Sequence, residues 1–395
     1  MSLSPFTLPV DREPWALPVS CRVKEVYQLI GKKKIVLFLC DEPNTSTFRY
    51  RVYNIYQSLL HSKTWHAGYF YRNEINFVVD LLPHASVFVL GRTKWFWEYD
   101  NIIAFARTLK VPIVFDVDDL VFDLNYVPLI MNTLAANENY DYWFSYVARI
   151  ALCASKVDFF TCTNAFLGSK LEQAFSKKYF CIENSLNEEQ IAISEQVRHK
   201  KQLHTSKQEF VIGYFSGSPS HTNDFCIVEQ EIKALFQEYE NIKLLVVGFM
   251  EFSKDMQPFL LEDRITLLPL TDFLNLQILI GSVDVNIVPL VDNDFTNCKS
   301  ELKFFESAIV DVPTCATPIY SYQHAIRNGE NGFLCREGQW YPVLTDLYHG
   351  KMNLDNINST ARNDVLQRYS GASFRNSIET VYNSILDSSK KEKAR

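Results

Sequence analysis

The sequence predicts an α/β protein of two doubly wound parallel-sheet domains facing one another across a cleft, and three observations carry the prediction. Short apolar runs alternate with longer helix-like segments along the whole chain. The series breaks between residues 187 and 208, where Glu, Gln, Lys and His displace β-branched residues. Polar residues gather directly after the apolar runs, and open α/β sheets bind ligands outside the carboxyl ends of their strands.

In chain order, the first half reads as strands at 35–39, 86–90 and 112–115, with 156–163 and 180–183 completing the sheet. Helical stretches around 50–60, 95–109 and 142–153 separate or follow them. The second half reads as strands at 210–215, 243–247, 265–268, 285–288 and 314–316, with helices at 229–239 and 299–309. The expected domains are an N-terminal extension (1–33), a first domain with its linker (34–208), a second domain (209–366), and a helix crossing back with a charged tail (367–395). The resemblance to a known family given below implies the helix crossing back, and with it hinges near Gln208 and Arg368.

With 395 residues, 47% of them apolar, the chain has material for two buried cores. A formal charge of -7 offers no field for polyanions, so nucleic acid is not an expected partner despite Lys32, Lys33 and Lys34. The nine cysteines stand singly with no C-x-x-C pair, which argues against a zinc site and a disulfide framework and fits a reducing cytoplasm. Asp80, His84, Asp284 and Asn286 interrupt the longest apolar runs, and the N-terminus lacks a cationic leader before an apolar block. A soluble or peripheral protein is expected.

The densest chemistry lies between residues 298 and 332. Ser300, Glu301, Lys303 and Glu306 fall in the first turns of an apolar helix, whose unsatisfied N–H groups suit phosphate, and Lys303 adds a full charge. Glu306, three residues after Lys303, shares its face and can accept bonds from ribose hydroxyls. The plainer reading is a surface ion pair worth about 0.3–0.5 kcal/mol; the flanking Phe304 and Phe305 point instead to a buried helix. After the first strand of the second half come Gly217, Ser218 and His221, small residues that let backbone approach a pyrophosphate. Alone they read equally well as a glycine turn. Pro269 and Leu270, following the strand at 265–268, complete the donor-side set.

In the first half, Asp116, Asp118 and Asp119 follow the strand at 112–115. They admit a metal-binding D-x-D, an aspartyl nucleophile loop (weakened by Leu120) and an acceptor-side carboxylate cluster, which is favoured, besides a solvated turn. Asp118 and Asp119 join Lys303 as candidate catalytic groups, with no metal. The segment from Phe48 to Val52 places at least one guanidinium near the cleft mouth. Arg51, Arg92 and Asp116 are the expected acceptor-side residues. Trp95, Trp97, Tyr142 and Trp143 suit sugar stacking, a membrane interface or simply core.

Together these segments resemble the GT-B glycosyltransferases, two Rossmann-like domains facing across a cleft, and within them the retaining family-four group that builds bacterial surface polysaccharides. The resemblance runs from about 34 to 369 and is sharpest from 211 to 335. It rests on Ile212-Gly-Tyr-Phe-Ser-Gly-Ser with His221 and Asp224, Leu244-Leu-Val-Val-Gly248, Lys299-Ser-Glu-Leu-Lys-Phe-Phe-Glu306, Val312-Pro313 and Asn328-Gly-Glu-Asn-Gly332, with Arg51-Val-Tyr-Asn and Asp116-Val-Asp-Asp-Leu in the first half. The family's paired glutamates would fall at 298 and 306, and here the first is Cys298. Its basic pair after the first second-half strand is also missing, with Ser218, His221 and Lys303 as stand-ins. The resemblance implies retaining transfer from a nucleoside-diphosphate sugar to a hydroxyl of a glycan or lipid-linked oligosaccharide, without metal or cofactor, in the cytoplasm and with room for peripheral contact at the inner membrane face. The alternatives are a metal-dependent D-x-D enzyme and a sugar-nucleotide-binding protein without turnover.

Overall fold

The computed structural model describes residues 13–41, 43, 46–132, 139–203, 209–217 and 221–393. Two six-stranded sheets form the two lobes. The first contains β1 (Lys34–Cys40), β2 (Trp65–Tyr71), β3 (Val87–Gly91), β4 (Ile113–Val117), β5 (Phe159–Cys162) and β6 (Tyr179–Cys181) in the order β2-β1-β3-β4-β5-β6. The second contains β7 (Phe210–Ser216), β8 (Ile242–Gly248), β9 (Ile265–Leu268), β10 (Val285–Val288), β11 (Thr314–Ala316) and β12 (Phe333–Leu334) in the order β12-β11-β10-β7-β8-β9. All neighbouring strands pair in parallel.

The runs are apolar at consecutive positions because helices cover both faces of each sheet. Along β1, Ile35, Leu37 and Leu39 join one core with Phe88, Leu90 and Phe115. Val36 and Phe38 join a second core on the opposite face with Val89 and Val114. The sequence reading omitted β2 and β12. In β2, His66 and Gly68 break the apolar run, and Gly68 is required by packing, since a Cβ there would lie 2.6 Å from Val26 Cγ2. β12 has only two residues.

The interlobe crossing lies earlier than expected. The helix Glu188–Leu203 already packs on the second lobe, so the chain crosses near residues 182–187 and not near 208. Val197 sits so close to Gly281 that a Cβ there would be 2.2 Å from Val197 Cγ1. Arg198 Nε meets Asp311 Oδ2 at 2.6 Å, and Lys201 Nζ donates to Asp311 O at 3.0 Å. The polar composition that resembled a linker is therefore the outer and ion-paired surface of a helix; Gln208 itself lies outside the described residues.

The chain returns after the helix Leu354–Tyr369. The next helix, Gly371–Lys393, sets Phe374, Ile378, Tyr382 and Ile385 into the first-lobe core beside Trp65. The two crossings touch: Leu186 N donates to Tyr369 O at 3.0 Å, and Arg368 Nε donates to Glu183 Oε1 at 3.1 Å. Among the described residues no helix is long and apolar enough to cross a membrane. Trp95 and Trp143 pack against the first-lobe core, whereas Trp97 and Tyr142 are exposed.

Candidate active site

The carboxyl ends of the two sheets meet around a cavity of about 400 Å³. The first lobe reaches it through a π-helical turn, Arg49–Tyr53, a winding that is rare and concentrated at functional sites. This turn separates two neighbouring arginines. Arg49 lines the cavity with Tyr50, while Arg51 points into the core at 1% exposure.

Arg51 and Asp116, expected on the acceptor side, are paired with one another inside the first lobe, and Arg51 also lines a cavity of that lobe. Arg51 Nε donates to Asp116 Oδ1 at 2.9 Å and Nη2 to Asp116 Oδ2 at 2.7 Å. Nη1 reaches Ile182 O at 2.5 Å and Asn184 Oδ1 at 3.1 Å, and Thr161 Oγ1 donates to Asp116 Oδ2 at 2.7 Å. The physical reason is register: β4 runs on to Val117, so Asp116 lies within the strand and turns inward. The bidentate fork ties the π-helical turn and the start of the interlobe crossing to the sheet.

Asp118 and Asp119 emerge past the strand end and line the cavity. Arg92 Nη1 donates to Asp118 Oδ1 at 2.7 Å, to Asp119 Oδ2 at 3.3 Å and to Thr47 Oγ1 at 3.0 Å, while Thr47 Oγ1 lies 2.9 Å from Asp118 Oδ2. Arg92 takes φ 44°, a left-handed conformation costly for a residue with a Cβ. Both Asp118 oxygens are thus engaged. Burial pushes the Asp119 carboxyl up from its ordinary value, against the pull of Arg92, and the Asp118 charge adds to it.

From the second lobe, the helix Leu302–Ala308 brings Lys303 and Glu306 to the same cavity, with Ser300 and Lys299 just before it. The helix spans seven residues rather than the longer segment expected, so its dipole is short, and Lys299 and Lys303 add full charges to the cavity wall. Burial pushes the Lys303 ammonium down to about 8, and neighbouring Lys299 contributes. Phe304 and Phe305 are buried as the sequence implied. Glu306 is 4% exposed and does not pair along its helix. Its Oε1 accepts from Tyr50 Oη and, at 3.3 Å, from Gln190 Nε2, and lies 3.5 Å from Arg49 Nη2. Ser300 Oγ accepts from Asn184 Nδ2 at 2.8 Å, joining it to the Arg51 network.

Gly217 opens onto the cavity, and a Cβ there would meet nothing within 4 Å. The steric demand falls on Gly248 instead, at φ +108°, where a Cβ would lie 1.9 Å from Ser216 O. Leu270 lines the cavity, and Pro269 is exposed beside it. Ser218 lies outside the described residues, and His221 opens the helix His221–Glu238 with a side chain that is likewise outside them. Cys298 does not line the cavity. It is fully buried against the first-lobe core, and its carbonyl accepts from Asn164 Nδ2 at 3.1 Å.

A second cavity of about 760 Å³ opens in the first lobe beyond β1, β2 and β3. Asp41, Arg72, Lys94, Phe96, Glu98 and Tyr146 are among its walls, and it shares Thr47 and Arg92 with the interlobe cavity. Sequence reasoning missed Arg49, Tyr50, Gln190 and Lys299. The available signal was the string Arg49-Tyr50-Arg51, in which nothing local tells which arginine faces out.

The sequence matches no protein-family model and no curated protein. The structure is similar to Anabaena HepE in complex with UDP (TM-score 0.59, 14% identity, 89% of this chain and 100% of that one). The same protein in complex with UDP-glucose gives a TM-score of 0.58 at 13% identity, covering 89% and 99%. A sucrose-phosphate synthase from Thermosynechococcus elongatus is similar at TM-score 0.60 and 12% identity, covering 90% and 100%. Two parallel sheets with their carboxyl ends opposed, two interlobe crossings and this likeness over most of the chain give the protein the GT-B fold.

Proposed function

We propose that the chain is a glycosyltransferase that moves a sugar from a nucleoside-diphosphate sugar to a hydroxyl acceptor. The observation that carries this is one cavity holding Lys299, Lys303 and Glu306 from the second lobe opposite Arg92, Asp118 and Asp119 from the first. Ammonium groups near a departing diphosphate stabilise charge that develops in the transition state, in a site where lobe closure excludes water. Lys303 and Lys299 take the diphosphate, Gly217 and Ser216 leave room beside it, and Glu306 takes the ribose. UDP and UDP-glucose, bound by HepE, are the first ligands to try.

The reading extends to retention without a metal, the leaving phosphate oxygen receiving the acceptor proton. Asp118, held by Arg92 and Thr47, orients the reacting groups beside Asp119. A glycan or lipid-linked acceptor enters through the first-lobe cavity, where aromatic rings suit the apolar face of a sugar and Asp41 and Glu98 suit its hydroxyls. Arg92 keeps its acceptor-side place at the junction of the two cavities, and Arg51 and Asp116 support it from behind. Cytoplasmic residence with peripheral membrane contact belongs to the same reading.

The metal-dependent alternative needs free carboxylates, and Asp116 and Asp118 are each engaged by a guanidinium. Transfer from UDP-sugars is expected to persist in EDTA; loss of turnover restored by a divalent ion would favour the metal enzyme. Binding without transfer to any hydroxyl acceptor would leave a sugar-nucleotide-binding protein.

The site also predicts a pH dependence. In the ligand-free protein the Lys303 ammonium titrates near 8, and a bound diphosphate favours its charged form. UDP affinity is therefore flat below that value and weakens above it by up to about tenfold per pH unit. Calorimetric titration over roughly pH 7 to 9.5 checks this. Lys303→Gln binds more weakly and lacks the decline; an unchanged slope in that variant would place the titrating group elsewhere.

A further inference from the structure

We infer that Tyr50, acting with Arg49 and Gln190, is the positioning residue for Glu306, so that the first lobe helps assemble the ribose-binding half of the donor site. This rests on the donor-site reading above and goes one step deeper.

Glu306 belongs to the second lobe, yet two of the groups that fix its side chain come from the first lobe. Tyr50 Oη and Arg49 Nη2 approach Oε1 from the first-lobe π-helical turn, and Gln190 Nε2 approaches from the helix Glu188–Leu203 on the second lobe. All three converge on one oxygen. The other, Oε2, has no hydrogen-bond partner among the described residues, and Glu306 lines the interlobe cavity. A carboxylate held this way has lost its torsional freedom and presents one acceptor in a fixed direction, which is what recognition of a sugar hydroxyl requires.

The holders are themselves held. The Tyr50 ring meets Phe305 edge-on with centroids 6.0 Å apart. The Arg49 guanidinium lies between the Tyr50 ring at 4.0 Å and the second-lobe Phe273 ring at 4.7 Å. Arg49 Nη1 donates to Gln190 Oε1 at 3.3 Å, Gln190 Nε2 also reaches Gln277 Oε1 at 3.1 Å, and Gln277 Nε2 donates to Glu306 O at 2.5 Å. The side chain and backbone of Glu306 are thus braced through one buried polar network, in which each bond polarises the next. Arg49 also places a guanidinium 3.5 Å from this buried carboxylate, so the pair enters the low-dielectric interior together. Separating the lobes would remove Tyr50 and Arg49 from Glu306, so aiming the carboxylate and closing the cleft are one event.

The test compares UDP with 2′,3′-dideoxy-UDP, which lacks the ribose hydroxyls, on the full chain. Tyr50→Phe keeps the ring and its packing and removes only the hydroxyl. The wild type is expected to prefer UDP. Tyr50→Phe should weaken UDP by about tenfold, the loss of one hydrogen bond to a charged group, leave the dideoxy nucleotide unchanged, and have no further effect in a Glu306→Gln background. Gln190→Met provides a second route to the same selective loss should Tyr50→Phe fold poorly. Equal weakening of both nucleotides, or a full wild-type preference retained by both variants, overturns the inference while the donor site stands. A wild-type chain that binds neither nucleotide overturns the donor-site reading and this inference with it.

Discussion

Lys303→Ala is expected to lower the affinity for UDP and UDP-sugars by about thirty- to a hundredfold, the cost of one charge-assisted bond in a partly buried site. Lys303 lies in the interlobe cavity on the same short helix as Glu306, and its stem runs over Tyr214, with Nζ 5.5 Å from the ring centre. Burial and the neighbouring Lys299 disfavour its charge in the free protein. That strain has a sign that can be checked. Because the folded-state value is depressed to about 8 from 10.5, the ammonium opposes folding at pH 7, and the opposition fades as pH rises from about 8 towards 10.5. Removing it should therefore leave the ligand-free melting midpoint at pH 7 no lower than that of the wild type while abolishing most of the rise on adding UDP. Such a residue trades stability for binding. Scanning fluorimetry with and without nucleotide measures both quantities; a variant that UDP stabilises as strongly as the wild type would remove Lys303 from the donor site.

Arg51→Ala is expected to produce the largest loss of stability, about 3–5 kcal/mol, because it leaves Asp116 buried without its partner. Asp116 is 1% exposed and, among the described residues, keeps only Thr161 Oγ1 as a close side-chain donor once Arg51 is gone. For a lobe of this size the midpoint should fall by roughly 10 °C. Arg51→Lys should rescue little, since one ammonium cannot reproduce two parallel bonds to Asp116 and further bonds to Ile182 O and Asn184 Oδ1. Pairing Arg51→Met with Asp116→Leu should recover part of the loss, because no lone charge then remains buried. An Arg51→Ala protein that melts like the wild type but binds acceptor poorly would restore Arg51 to the acceptor-side role suggested by the sequence.

The gap between the sequence reading and the structure has physical causes at particular residues. Arg49 and Arg51 are two positions apart, and in an ordinary helical turn either could face the cleft. Two residues apart they point to opposite sides of the turn, and which one turns inward depends on Arg51 finding Asp116, a residue 65 positions away. The strand at 112–115 was legible, but its extension to Val117 was not, because an aspartate inside a strand is tolerated only with a buried guanidinium opposite it. The helix Glu188–Leu203 was mistaken for a connection since its polar residues find Asp311 only in the folded lobe. Lys303 and Glu306 were easier: their three-residue spacing puts both on one face of any helix, and both reach the cavity.

The sequence by itself determined the two-lobe α/β architecture, since strands buried on both faces must be continuously apolar and that pattern is local. It also determined where polar groups collect, because strand ends are visible as the points where those runs stop. Which groups face the cavity and which lock the core was decided only by the tertiary structure. Tyr50 and Glu306, or Arg51 and Asp116, become partners through contacts between segments 256 and 65 residues apart, and a buried charge or hydroxyl takes its role from the partner that removes it from water.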